Sequence, residues 1–198
     1  MKKLIAICIL LVLMSTGAAN AAFTLTFDEL PTQTVDGLSF MGITFGFKVD
    51  GSPSADAVYN GIGPGTLTYL QDPTLEGTTA GILYLDFDVP TDQLQFGVAL
   101  NSYDAATPGY VVRLYDPSYQ LIGVYSGNTS PLVLWSEGQF TYSGETPISF
   151  AAIGFNEQAG SRFAMDNLTI NPIPAPGAIL LGSIGLGLVN WLHRRRML

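Results

Sequence analysis

Cysteine and histidine each occur once in the 198 residues, and basic residues are scarce. Cys8 falls inside the apolar run Leu4–Met14, and His193 stands beside the terminal arginines. Residues 22–171 therefore hold neither a thiol nor an imidazole. That excludes a disulfide, a Ser-His-Asp or Cys-His nucleophile and a histidine-ligated zinc from the body of the chain. Of the eight basic residues, Lys2, Lys3, Arg194, Arg195 and Arg196 lie at the two ends. The body keeps Lys48, Arg113 and Arg162 against all sixteen acids, a net charge of −13. A surface of that sign repels phosphate backbones, so nucleic acid is excluded as a partner. Gly61-Ile-Gly-Pro-Gly65 lacks the Lys-Ser/Thr ending of a phosphate loop. The chemistry left over is a pair of carboxylates acting on a glycosidic bond. Sixteen acids always offer such pairs without singling one out, and the body reads as non-catalytic.

Apolar runs are also few, and both are terminal. Lys2 and Lys3 precede Leu4–Met14, and Ala19-Asn20-Ala21 places small residues where a signal peptidase reads. The first apolar run is too short for the roughly 20 residues a spanning helix needs. Residues 1–21 are expected to form a signal helix cleaved after Ala21. At the other end, Pro172-Ile-Pro-Ala-Pro-Gly177 breaks the chain before an apolar stretch through Leu192, studded with Gly182, Gly185 and Gly187. Arg194, Arg195 and Arg196 follow and hold that end on the cytoplasmic side. A single C-terminal membrane helix with the body outside is the expected arrangement.

Pro174-Ala-Pro176-Gly177, the glycine-studded helix and Arg194–Arg196 together resemble the PEP-CTERM sorting signal of bacterial exosortase substrates. Pro174 and Pro176 match the two prolines of the motif, and Ala175 replaces its glutamate. The resemblance covers residues 172–198. It implies that an exosortase-type membrane transpeptidase cuts near Pro174–Gly177 and releases or re-attaches the protein.

Between the signals, residues 22–171 alternate apolar and polar side chains with a period of two. Phe23, Leu25 and Phe27 alternate with Thr24 and Thr26, and Leu83, Leu85, Phe87 and Val89 with Tyr84, Asp86 and Asp88. Further β-rich runs are Leu38–Val49, Thr66–Leu70, Leu94–Leu100, Tyr110–Tyr115, Gln120–Tyr125, Leu132–Trp135, Phe140–Tyr142, Ile148–Phe155 and Phe163–Ile170, separated by Gly/Pro/Asp turn clusters. No amphipathic helical period occurs. The pattern predicts one all-β domain, a two-sheet β-sandwich of jelly-roll type, with Asp50–Gly65 a long surface loop and Trp135 in the core.

Two carboxylates stand out by parity. Glu29 continues the inward series Phe23, Leu25, Phe27, and Asp166 falls in the series Ala164, Asp166, Leu168, Ile170. An inward carboxylate is costly unless hydrogen-bonded or metal-bound. The alternative is that Glu29 opens a loop and Asp166 caps a bulge through backbone N–H groups. Phe27-Asp-Glu-Leu30 and Phe163-Ala-Met-Asp-Asn-Leu-Thr-Ile170 resemble the ends of carbohydrate-binding jelly rolls, and the resemblance implies a structural calcium at Glu29 and Asp166. Sugar recognition calls for exposed aromatic rings beside amides and carboxylates. Tyr103, Tyr110 and Tyr119 lie in or near the loops Asn101–Gly109 and Asp116–Ser118 and make a candidate rim.

The sequence thus predicts an exported protein, anchored by its C-terminus in the inner membrane as a precursor and then placed at the cell surface or in the extracellular matrix. Its expected partners are signal peptidase, the exosortase-type transpeptidase, the membrane and a polysaccharide. The competing readings are a glycan-active enzyme using two carboxylates and a ligand-free, membrane-tethered structural domain.

Overall fold

The computed structural model describes residues 21–173. The expected signal segment, and the tail with Pro174, Ala175, Pro176, Gly177, Arg194, Arg195 and Arg196, lie outside the described residues.

Residues Ala22–Pro172 form one compact unit. Its strands are β1 (Phe23–Leu25), β2 (Gln33–Thr34), β3 (Ser39–Phe40), β4 (Ile43–Val49), β5 (Ser52–Pro53), β6 (Val58–Gly61), β7 (Thr74–Thr78), β8 (Gly81–Leu100), β9 (Ala106–Tyr115), β10 (Leu121–Leu132), β11 (Trp135–Phe155) and β12 (Arg162–Pro172). All pair antiparallel in a single hydrogen-bonded sheet whose main path runs β10-β9-β11-β8-β12-β7-β6-β2. The all-β expectation holds.

The sheet is bent back on itself because β8 and β11 pass through both layers. In the first half of β8, Leu83, Leu85 and Phe87 are buried while Tyr84 and Asp86 alternate outward. This half pairs with β4 on one side and with Phe150–Gly154 of β11 on the other. Pro90 follows, and the pairing of β8 with β11 slips between Ser143 and Phe150, around Gly144-Glu145-Thr146-Pro147. Strands that switch layers do so at such irregular, proline-bearing points. Beyond them, Leu94–Leu100 pairs with Ser136–Tyr142 and with β12.

Rings from the two halves meet in the space between. Phe47 of β4 packs on Phe163 of β12 at 6.0 Å, and Phe96 of β8 on Tyr110 of β9 at 6.3 Å. Phe155 stacks on Phe163 at 3.7 Å. These side chains are buried, and each contributes about 1.5–3 kcal/mol of hydrophobic stabilisation.

A second, smaller cluster lies behind Leu94–Leu100. Gly97 and Ala99 of β8 and Ala164 of β12 present little or no side chain on the face away from the main core. The segment Thr66–Gln71 covers them, burying Leu70 on Ala99 and Ala164 with Leu67 and Trp135 alongside. The approach is so close that a Cβ on Gly97 would run into the Tyr69 carbonyl oxygen. Two carboxylates hold this strap by its backbone. Glu137 of β11 accepts the amides of Thr68 and Tyr69, each at 3.0 Å, and Asp166 of β12 accepts that of Gln71 at 2.8 Å.

Three sequence expectations need correction. Thr66–Leu70 is this strap and not a strand, because its amides are spent on carboxylates and on a turn from Leu67 N to Leu70 O. Asp50–Gly65 is more than a surface loop: it contains β5 and β6, and Tyr59 on β6 is fully buried. Trp135 is half-buried against the small cluster, while Leu132 and Leu134 are exposed.

Candidate functional site

The three tyrosines chosen from sequence do not form a rim. Tyr110 is 1 % exposed, wedged between Phe96 and the backbone of Gly127, where a Cβ would strike its ring. Burial pushes its hydroxyl up to about 12. Tyr103 and Tyr119 are exposed, but they flank opposite ends of the ten-residue β9, about 30 Å of strand apart.

Tyr119 belongs instead to a row of rings on the outer face of the first layer. Phe150 of β11 is its hub, with Tyr115 at 5.5 Å, Tyr84 at 5.8 Å and Tyr119 at 6.1 Å. Register explains the grouping: Phe150 lies opposite Tyr115 of β9 and Asp86 of β8, and Tyr84 is two residues from Asp86 on the same face. Neighbours Leu83, Leu85, Leu114, Ala151 and Ile153 point the other way, into the core.

The turn after β9 places Tyr119. Asp116 Oδ1 accepts the amides of Ser118 and Gln120, and its carbonyl accepts that of Tyr119 at 2.9 Å. This holds Tyr119 at φ 57°, a left-handed conformation that costs a bulky residue energy and persists because its surroundings enforce it. Polar groups border the row. Lys48 Nζ lies 5.6 Å from the Tyr84 ring centroid, Asp86 is half-buried beside Phe150, and Arg113, opposite Ala152, is exposed. Gly46, opposite Tyr84, adds no side chain to that end of the row.

Glu29 and Asp166 occupy different settings. Asp166 is buried as expected, but toward the strap and not the main core. Asn167, at φ 54°, breaks the pairing of β12 with β8, so Phe163 and Met165 face the core before it and Leu168 and Ile170 after it. Asp166 Oδ2 accepts Gln71 N at 2.8 Å and Asn167 Nδ2 at 3.2 Å, while Oδ1 is buried without a partner. Burial pushes this carboxyl up to about 6. The bonds from the Gln71 and Asn167 amides oppose that push, and the charges of Glu29 and Asp28 add to it.

Glu29 is exposed, which corrects its inward assignment. The chain leaves β1 through Phe27, at φ 59°, and Glu29 sits in the turn that follows. Its Oε2 accepts the Tyr59 hydroxyl at 2.5 Å and its Oε1 accepts Thr26 N at 2.8 Å. Partial burial pushes its carboxyl up, but these bonds outweigh that and hold it below the ordinary range. Burial, followed by the Glu29 bond, drives the Tyr59 hydroxyl far upward. Both Glu29 oxygens accept bonds from protein donors, while Asp166 keeps one buried oxygen without a partner.

No family model matches the chain, and no curated protein matches it in sequence. Among solved structures it is similar to a mutant of a family 29 carbohydrate binding module, at 11% identity and a TM-score of 0.39, covering 76% of this chain and 89% of that one. It is likewise similar to the cleaved adhesin domain of Lys-gingipain, at 14% identity and a TM-score of 0.43, covering 76% and 97%. Both likenesses are remote.

Proposed function

We propose that this chain is a non-catalytic polysaccharide-binding β-sandwich of jelly-roll type, exported and carried to the cell surface or extracellular matrix through its C-terminal signal. The observation that carries the binding reading is the row Tyr84, Phe150, Tyr115 and Tyr119 on an outer sheet face. The rings cluster around Phe150, inclined to it by 27° to 61°, and offer apolar surface to the C–H groups of a sugar, while Asp86, Lys48 and Arg113 are placed to meet the hydroxyls. A strand-built platform holds such rings at fixed spacing and loses little entropy on binding.

A glycan-cleaving enzyme needs a proton donor with a raised pKa facing a second carboxylate across an open groove. The described carboxyl that is pushed up, Asp166, lies beneath the strap where no glycan reaches. The sorting reading rests on residues 172–198 of the sequence.

Pull-down on insoluble polysaccharides and affinity electrophoresis in soluble ones test binding. Retention by at least one polymer, lost in the double variant Tyr84→Ala, Phe150→Ala, is expected; unchanged retention in that variant overturns the platform. Intact mass of the protein from the producing cells' outer fraction tests sorting. The expected species lacks residues 1–21 and ends near Pro174–Gly177, whereas a mass still including Leu198, found only in the inner membrane, overturns it.

A further inference from the structure

We propose that the loop Gly61–Gly65 and the start of β7 form a calcium site whose side-chain ligands are Asp72, Thr74 and Glu76. These three residues alternate along the chain, so they project to one side of it, and that side faces the glycine loop. Asp72 Oδ1 accepts Gly65 N at 2.9 Å, and Glu76 Oε1 faces Gly63 N at 3.4 Å. A Cβ on Gly63 would run into both Asp72 Oδ1 and Thr74 Oγ1, and one on Gly61 into the Glu76 carboxylate. The loop is thus a cradle of bare backbone closed by three side-chain oxygens.

Thr74 shows that the cradle is suited to hold something. It is 0 % exposed, and its Oγ1 has no hydrogen-bond partner. The other buried threonines are satisfied. Thr79 donates to Gly160 O, Thr91 to Gln93 O and Asn171 O, and Thr129 shares a bond with Ser136. An unpaired buried hydroxyl is expensive, and this one lies against the same glycine as the Asp72 carboxylate. Two carboxylates balance a divalent charge and the hydroxyl adds a neutral oxygen, which leaves the rest of a shell of hard donors to water. An irregular, oxygen-only set of this kind suits Ca²⁺ better than Mg²⁺, which demands a near-ideal octahedron. Soft or imidazole-seeking metals find no nitrogen or sulfur side chain here. The site is separate from the aromatic row and does not depend on the polysaccharide reading. It joins the end of β6 to the start of β7, at the base of the strap Thr66–Gln71.

Calorimetric titration of the full-length protein in detergent with Ca²⁺, after EDTA treatment, tests the proposal alongside thermal unfolding with and without the ion. Wild type is expected to bind one Ca²⁺ and to unfold at a higher temperature with it. Thr74→Val, nearly isosteric, is expected to bind at least tenfold more weakly. It should lose the calcium-dependent rise and yet unfold no lower than wild type in EDTA, because it removes the unpaired hydroxyl. Asp72→Asn and Glu76→Gln should behave like Thr74→Val toward calcium. The site is overturned if wild type shows no calcium heat and no shift, or if binding persists undiminished in Thr74→Val and Asp72→Asn.

Discussion

Asp166 gives one carboxylate oxygen to the amide of Gln71, 2.8 Å away, and keeps the other buried with nothing to bond. The strap over Gly97 and Ala99 is therefore fastened by a group that folding makes harder to ionise. In the folded protein its pKa is about 6, against an ordinary value of 3.8. Between those values the native state holds a proton that the unfolded chain has released. This contribution to stability is therefore fully present below about pH 4 and is lost as pH rises through about 6. Asp166→Asn keeps an acceptor for Gln71 and cannot ionise. Relative to wild type, it should gain about 1–3 kcal/mol between pH 4 and pH 7, read from denaturant unfolding at each pH.

Glu29 carries the opposite sign. Its depressed carboxyl stabilises the fold at neutral pH, and that contribution is lost as pH falls through the folded value. Tyr59→Phe removes the hydroxyl donated to Glu29 while keeping the ring packed on Phe27 and Phe45. A loss of about 1 kcal/mol at pH 7 is expected, at the low end for a bond to a charged group because Glu29 is exposed. Repeating the unfolding at successively lower pH should find that difference shrinking as Glu29 takes up a proton.

Gly97→Ala should destabilise by about 1–3 kcal/mol, because its new methyl meets the Tyr69 carbonyl and the strap must lift. Gly154→Ala, with nothing within 4 Å of its added carbon, should change stability by less than about 0.5 kcal/mol. Comparing the two by thermal unfolding separates crowding under the strap from a general intolerance of side chains in the sheet.

On the proposed binding face, Phe150→Ala removes the ring on which Tyr84, Tyr115 and Tyr119 converge. It should weaken polysaccharide affinity at least tenfold, about 1.4 kcal/mol. Tyr103→Ala, at the other end of β9, should leave affinity within a factor of two or so, since exposed residues outside the contact contribute little. Equal losses in the two variants would move the site away from the sheet face.

Alternation makes the strands easy to read wherever one face meets the core and the other meets water. Leu83-Tyr84-Leu85-Asp86-Phe87 is such a segment. The pattern misleads wherever that condition fails. Gly97 through Leu100 and Phe163 through Asp166 are buried on both faces, and the single left-handed residue Asn167 shifts the phase between Met165 and Leu168. A period of two cannot reveal either fact. Parity fails at Glu29 for a related reason: Phe27 ends the extended chain with a positive φ, so nothing after it inherits the parity of β1. Tyr110 sits close to loop residues in sequence, but β9 has already begun at Ala106. The aromatic row is beyond the reach of any one strand's pattern, since Tyr84 and Phe150 are brought together only by register across β8 and β11. Thr74, Gly61 and Gly63 carry no pattern at all until the loop and β7 are placed side by side.

The passage of β8 through both layers has a mechanical consequence. Tyr84, on the proposed polymer-binding face, and the residues that pair with Phe163–Pro172 of β12 belong to one continuous strand. On the proposed reading, a load entering at Tyr84 reaches β12 along β8 and through the β8–β12 ladder, whereas one entering at Phe150 or Tyr115 crosses the ladders of β11 and β9 first. The path from the aromatic face to Pro172 therefore lies along hydrogen-bonded strands and not through loops.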